Sequence, residues 1–277
     1  MPAQAMAREL EQHDLQLVVH NLPAGKWEAG ERGIACGPAR VDEFRAGVAH
    51  ALDYAKALGV TRLNGESRIL SGSTKTLSRT LEVGSRLTAS NSSGAVAFSG
   101  DGRISVLSSG EFVLNDVADI NAGGNGRIDN AGLMRKTGTA ATTLAMPLTN
   151  TGTLRVEGGT LTASSFPVNA GTLDVFSGAA LVTGGSMQNT GTIQGSGSIS
   201  LAGGTLTNAG IIRPGGASAA GTLNITGNFV QTAAGRIEAD VLGVSAIQQD
   251  RLQVSGTMTL GGDLVLSPAA GLNFSTQ

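Results

Sequence analysis

Between Asn130 and Pro214 a short phrase that alternates apolar and polar positions returns five times. It reads Asn130-Ala-Gly-Leu-Met, Asn150-Thr-Gly-Thr-Leu, Asn169-Ala-Gly-Thr-Leu, Asn189-Thr-Gly-Thr-Ile and Asn208-Ala-Gly-Ile-Ile. The asparagines lie 20, 19, 20 and 19 residues apart. A fixed period near twenty is the mark of a stacked repeat, in which each unit buries its apolar face only against its neighbours. Four residues after each asparagine stand Met134, Leu154, Leu173, Ile193 and Ile212, all apolar. The next column holds Arg135, Arg155, Asp174, Gln194 and Arg213, all polar. One residue in and the next out is the pattern of a strand with a single buried face.

Two glycine columns punctuate the strands. Gly132, Gly152, Gly171, Gly191 and Gly210 are expected to bend the chain at positive φ, which glycine adopts at little cost. The pairs Gly158-Gly159, Gly184-Gly185 and Gly203-Gly204 mark a second turn in three of the units. Stacked at roughly 4.8 Å, the strand spacing, the asparagines are placed to form a ladder of side-chain amides. These features predict a mainly β chain built as a right-handed parallel β-helix.

The first 66 residues follow a different pattern. Residues 3–12 read as a helix rich in Ala, Glu, Leu and Arg. Leu15 to His20 is a short apolar run suited to a buried parallel strand. A long loop with Pro23, Gly25, Gly30, Gly33 and Gly37 leads to an amphipathic helix over Val41 to Leu58, with Phe44, Val48, Ala51, Leu52, Ala55 and Leu58 at helical spacing. Gly59 ends that helix and Val60 to Leu63 begins another strand. Strand, helix, strand is the βαβ unit of an α/β barrel.

After Gly65 the texture turns to Ser, Thr, Gly and Asn. The segments 79–83, 95–98, 103–107 and 111–114 are strand-sized but lack the asparagine phrase. The expected organisation is therefore a βαβ segment over 1–66, irregular rungs over 67–126, regular rungs over 127–220 and a C-terminal β segment over 221–277. A loop at Pro214 to Gly221 interrupts the stack.

Composition sharpens the boundary near Asn64–Ser71. The first 66 residues hold every His (His13, His20, His50), the single Cys36, Trp27 and Tyr54, and 16 of the 40 charged residues. The remainder holds 34 of the 41 glycines. So abrupt a change fits two unrelated segments joined by gene fusion, rearrangement or misassembly of the reading frame. Net charge is −2, and residues 67–277 carry 12 basic and 12 acidic side chains. That balance offers no basic face for nucleic acid and no polybasic membrane patch. One cysteine allows no internal disulfide. The N-terminus lacks a basic stretch followed by an apolar one, so the chain as written has no export signal of its own. No apolar run reaches the length of a transmembrane helix.

Two resemblances follow. Leu10 to Arg40, with Asn21-Leu-Pro-Ala-Gly25 and Ala29-Gly-Glu-Arg-Gly-Ile-Ala35 as its distinctive phrases, and Glu43 to Gly59 resemble the hydroxypyruvate isomerase family. That resemblance implies an eight-stranded α/β barrel which interconverts hydroxypyruvate and tartronate semialdehyde through late glutamates, often with a divalent metal. It covers the second and third strands with their helix, and no later segment matches the strands that carry the glutamates. Gly221 to Gln231, Gly235 to Val241 and Asp250 to Leu266, with the rungs before them, are similar to the passenger regions of bacterial autotransporters. This second resemblance implies an exported surface protein of haemagglutinin or adhesin type. The chain shows none of the roughly 10-residue amphipathic strands of an outer-membrane barrel.

Candidate chemistry is sparse. Beyond residue 66 there is no His, Cys, Tyr or Trp, which removes Ser-His-Asp and Cys-His catalysis and imidazole or thiolate metal sites from the repeats. Paired acids remain, as in β-helix enzymes that act on polysaccharides. Asp129, Glu157 and Asp174 are the candidates, and they fall in different columns. Arg155 and Asp174 share one, a rung apart, which predicts a surface ion pair of little net stability. His20, Asn21 and Glu31 lie where α/β barrels place substrate contacts, but a quarter of a barrel offers them no pocket. Nothing near Cys36 is placed to activate it. The glycine pairs lack the context of a phosphate loop, and Gly123 to Gly126 lacks the aspartates of a calcium repeat. No catalytic, cofactor-binding or metal-ligating residue is assigned, and no cofactor is expected. The expected function is non-catalytic, a surface adhesin that contacts host-surface or matrix ligands through the β-helix. The alternative is hydroxypyruvate isomerase, inactive here for want of most of the barrel.

Overall fold

The described part of the N-terminal unit includes two helices and a pair of short parallel strands. The computed structural model describes residues 3–13, 20–21, 26, 28, 38–58, 63–64, 67–70, 75–77, 80–90, 96–98, 102–116, 119–122, 125–216 and 219–272. They divide into one unit of residues 1–69 with 85–87, and a second of residues 70–84 with 88–277.

In the first unit, helix α1 (Ala3–Gln12) packs on helix α2 (Val41–Leu58). The strands His20–Asn21 and Leu63–Asn64 pair in parallel, His20 opposite Leu63. Parallel strands need a crossover, and α2 supplies it, touching both. The βαβ unit is therefore present. Ala51 is the buried centre of α2, whereas Leu52, expected on the apolar face, is exposed. The predicted strand over Leu15 to His20 is described only from His20, and Val60, Glu31 and Cys36 lie outside the described residues.

The second unit is a parallel β-solenoid. Phe112, Met134, Leu154, Leu173, Ile193 and Ile212 stand one above the next in register, all fully buried. A second wall is formed by Leu161, Leu181, Ile199 and Ile225. The interior between these walls is mostly aliphatic, each side chain contributing about 1.5–3 kcal/mol by leaving water. The segments without the asparagine phrase join the same stack, with Arg103–Val106 lying on Arg127–Asn130 residue for residue. Alternation alone sets that register, because a slip of one residue would turn the apolar face outward. The C-terminal segment continues it, Thr222–Gln231 on Ser198–Asn208 and Arg251–Val254 on Thr222–Gln231. No described helix is long and apolar enough to cross a membrane.

The glycine column has a different cause from the expected one. None of Gly132, Gly152, Gly171, Gly191 and Gly210 has a positive φ. What they need is space: a Cβ on Gly171 would lie 2.0 Å from the carbonyl oxygen of Gly152, and one on Gly191 2.0 Å from that of Gly171. Successive turns approach backbone to backbone, and only glycine lets them. Positive φ appears instead at the second turn, at Gly159 (61°) and Gly203 (82°).

Candidate functional site

The predicted amide ladder runs through the solenoid interior. Asn130 donates to Asn150 at 2.7 Å, Asn150 to Asn169 at 2.7 Å, Asn169 to Asn189 at 2.8 Å and Asn189 to Asn208 at 2.8 Å. The second amide hydrogen of each reaches a backbone carbonyl, such as that of Thr153 or Thr172. Every amide is buried, so the ladder holds the turns together and is closed to ligands. Its first member keeps one unmet group, the Asn130 Oδ1, because Val106 precedes it in the column.

The chemistry that faces outward lies on the strands from Glu111–Asn115 to Arg236–Val241. Arg135 forks onto Glu157, with Nε–Oε1 at 2.7 Å and the second pair at 2.6 Å, and reaches Glu111 at 3.1 Å. Those bonds raise the guanidinium pKa still further above its ordinary value. One rung on, Arg155 Nε stands 3.7 Å from Asp174 Oδ2, past hydrogen-bond reach. Farther along, Arg213 holds Glu238 at 2.9 Å.

Asp174 departs from the expectation of a surface pair. It points outward but is only 9% exposed, since the side chains of adjoining rungs cover it. Burial raises its pKa, and a hydrogen bond from Gln194 and the charge of Arg155 partly offset this. The charge of Glu157, in a different column, raises it further. Phe176, the next outward residue after Asp174, leaves its ring 40% exposed beside them. Asp129 belongs elsewhere, on a strand of the other sheet, bonded to Arg127 at 2.9 Å and paired with Arg103.

Of the three predicted carboxylates the structure thus brings together Glu157 and Asp174. Glu157 is gripped by a bidentate arginine, and burial favours the proton on Asp174; polysaccharide-cleaving enzymes use paired carboxylates. A cleft to enclose substrate is what such chemistry also needs. Two hollows lie elsewhere, one of 260 Å³ at Ser164, Phe166, Thr183 and Ser186 and one of 380 Å³ lined by Gln231, Leu252 and Leu264. Around Asp174 the surface is a strand face with paired charges, suited to contact.

Two charged groups escaped the sequence reading. Lys136 points inward and is wholly buried, its amine donating to the carbonyl of Thr137 at 2.6 Å and lying 3.4 Å from that of Gly158. Burial lowers its pKa, and the charge of Asp116 opposes the shift. A signal was present: after outward Arg135, strict alternation sends Lys136 inside. Asp250 accepts from the N–H groups of Gly221 at 2.9 Å and Asp240 at 2.8 Å, and burial raises its pKa. No local pattern marked it. His20 and Asn21 sit on the strand paired with Leu63–Asn64. Among the described residues no three His, Cys, Asp or Glu side chains come together as a metal site would require.

Comparison with known proteins bears on a short N-terminal segment. Over 55 residues the chain is 58% identical to hydroxypyruvate isomerase of Escherichia coli, which is 20% of this chain and 21% of that protein. A putative hydroxypyruvate isomerase of Homo sapiens is 43% identical over 61 residues, 22% of each chain. The 2-oxo-tetronate isomerase of Cupriavidus necator is 36% identical over 62 residues, 22% of this chain and 24% of that one. The chain thus spans about a fifth of the length of the curated relatives it matches. No protein-family model matches it, and no solved structure does.

Proposed function

We propose that the chain works as a non-catalytic binding scaffold, a surface passenger of adhesin type whose outer strand faces contact host-surface or matrix ligands. The observation that carries this reading is the outward column from Arg135 to Glu238. Its charges are neutralised rung by rung on a flat face, while the interior is fixed by aliphatic walls and an amide ladder. Such a surface presents a polar or charged side chain at each rung, which favours extended polymers over a small substrate. Similarity of the C-terminal phrases to autotransporter passengers supports the surface setting.

Immobilised glycans and extracellular-matrix proteins, presented to the purified chain, test the reading. Saturable binding that weakens when Arg155 and Phe176 are both changed to alanine supports it. Binding to no surface polymer, or binding indifferent to that change, counts against it.

A second reading, isomerase activity, is favoured by the match to hydroxypyruvate isomerases. The matched portion is about a fifth of those proteins, and the later strands are replaced by the solenoid. We therefore expect no turnover of hydroxypyruvate by the purified chain, and measurable turnover would reverse the assignment.

A further inference from the structure

Three arginines stand in one outward register column, and the middle one is left without a bonded partner. Arg135 lies opposite Arg155, Arg155 opposite Asp174, Asp174 opposite Gln194 and Gln194 opposite Arg213. Arg135 commits its guanidinium to Glu157 and Glu111, and Arg213 holds Glu238 through two nitrogens. Arg155 makes no hydrogen bond to the described residues. Asp174 Oδ2 stands 3.7 Å from its Nε, and that Nε is shielded from water with no partner. Gln194 hydrogen-bonds the Asp174 carboxylate, and burial disfavours its ionised form, so Asp174 has little claim on Arg155. The Arg155 side chain is nonetheless 44% exposed. A guanidinium carries five N–H donors, and one that the fold leaves unmet at a surface takes its acceptor from outside.

Two further features flank this arginine. Phe176 donates its N–H to the carbonyl of Val156, which sets it opposite Glu157 on the next rung. It is thus the diagonal neighbour of Arg155, within reach of a shared ligand, and its ring is exposed. On the other side Thr153, Thr172 and Thr192 stand in register and half-buried, a row of hydroxyls at the strand spacing.

Resting on the reading of the outer face as a polymer-binding scaffold, we propose that Arg155, Phe176 and this threonine row form a subsite for an acidic polysaccharide. The carboxylate of one uronic-acid unit sits on Arg155, and a pyranose ring lies against Phe176. The guanidinium fork matches a carboxylate through two parallel hydrogen bonds. The C–H face of a sugar ring is apolar and covers an exposed aromatic ring well. Threonine hydroxyls donate to and accept from the hydroxyls of the chain. A neutral glycan leaves the guanidinium unmet. A nucleic acid, with a phosphate on every nucleotide, draws on many cations, whereas Arg135 and Arg213 are already neutralised by carboxylates.

Calorimetric titration of the 277-residue chain with polygalacturonate, alginate and hyaluronan tests the proposal, each polymer being compared with its methyl-esterified form. Esterification removes the charge and keeps the sugars. The parent chain is expected to bind at least one acidic polymer about tenfold or more tighter than its ester. Arg155→Gln is expected to abolish that preference. Phe176→Ala is expected to weaken binding of the acidic form about twofold to tenfold, and both variants should keep the β-type far-UV spectrum. Equal binding of acid and ester, a preference that survives Arg155→Gln, or tighter binding of single-stranded DNA overturns the subsite and leaves the scaffold reading standing. Binding of none of the uronate polymers also overturns the subsite, and the scaffold reading falls with it only if every other surface polymer is refused too. Should Arg155→Gln lose its spectrum, the comparison of acid with ester on the parent chain decides.

Discussion

The side chain of Asn150 donates a hydrogen bond to that of Asn169 at 2.7 Å, and neither is exposed to solvent. Each interior amide in this ladder satisfies a neighbour above and a neighbour below, so the members are not equivalent. Replacing Asn169 with alanine strands a donor on Asn150 and an acceptor on Asn189. The expected loss is about 2–4 kcal/mol, from two buried groups left unmet. Asn130→Val removes the end member, whose Oδ1 already lacks a partner and which follows Val106 in its column. Its cost is expected to be about half as large. Urea denaturation midpoints of the two variants check the order, and equal losses would mean that the ladder does not act as a chain.

Lys136 is a charge placed where the stack wants an aliphatic side chain, between Leu114 and Val156 in its column. Lys136→Met is expected to stabilise the solenoid by about 1 kcal/mol or more, since well-packed apolar residues commonly outperform buried charges. The pH dependence has a definite sign. Burial holds the folded pKa below the ordinary 10.5, so between the two values the unfolded chain binds more protons and stability rises with pH. That rise should be absent in Lys136→Met. Denaturation midpoints of both proteins across the alkaline range measure it.

Asp174 gives the opposite slope. Its folded pKa is raised above the ordinary 3.8, chiefly by burial. The folded chain therefore holds the extra proton in that window. The associated stability is complete below 3.8 and is lost as pH rises through the folded value. Asp174→Asn should remove this dependence, and a carboxyl NMR titration of the parent chain should place Asp174 above an exposed aspartate. A titration at or below the ordinary value would mean that Arg155 and Gln194 outweigh burial.

Glycines at the two turns should respond differently to the same substitution. Gly171→Ala puts a Cβ 2.0 Å from the carbonyl oxygen of Gly152, and the turns must part to admit it. A loss of about 3 kcal/mol or more is expected, as for other overpacked sites. At Gly178 nothing lies within 4 Å, and only the φ of +79° opposes a side chain, which costs about 1–2 kcal/mol. Thermal unfolding of both variants tests the distinction.

These contrasts mark how far the sequence could be read. Alternation around Leu154 and Leu173, and the return of asparagine every 19 or 20 residues, disclosed the strands, their stacking and the ladder. Both follow from local periodicity, which a linear pattern preserves. The cause of the first glycine column was not legible, because a close approach between Gly152 and Gly171 belongs to neighbouring turns and leaves no trace in either phrase. Asp174 was recognised as the partner of Arg155, yet its burial depends on side chains from several rungs. Glu157 and Asp174 come near each other for the same reason, as positions in adjacent columns share a face only once the turns are stacked. At the N-terminus the βαβ unit was plain from α2 and its flanks. His20 and Asn21 are described only on the strand that pairs with Leu63–Asn64, so the geometry gives them no partner chemistry among the described residues.

Stacking in register underlies every statement about the outward face, and one distance tests it most directly. Spin labels at Ala131 and Ala209, each the residue after a ladder asparagine, lie four rungs apart. At about 4.8 Å per rung the account predicts a narrow distribution near 20 Å, widened only by the label arms. A broad distribution extending to the order of 60 Å, as an unstacked chain of that length gives, would contradict it.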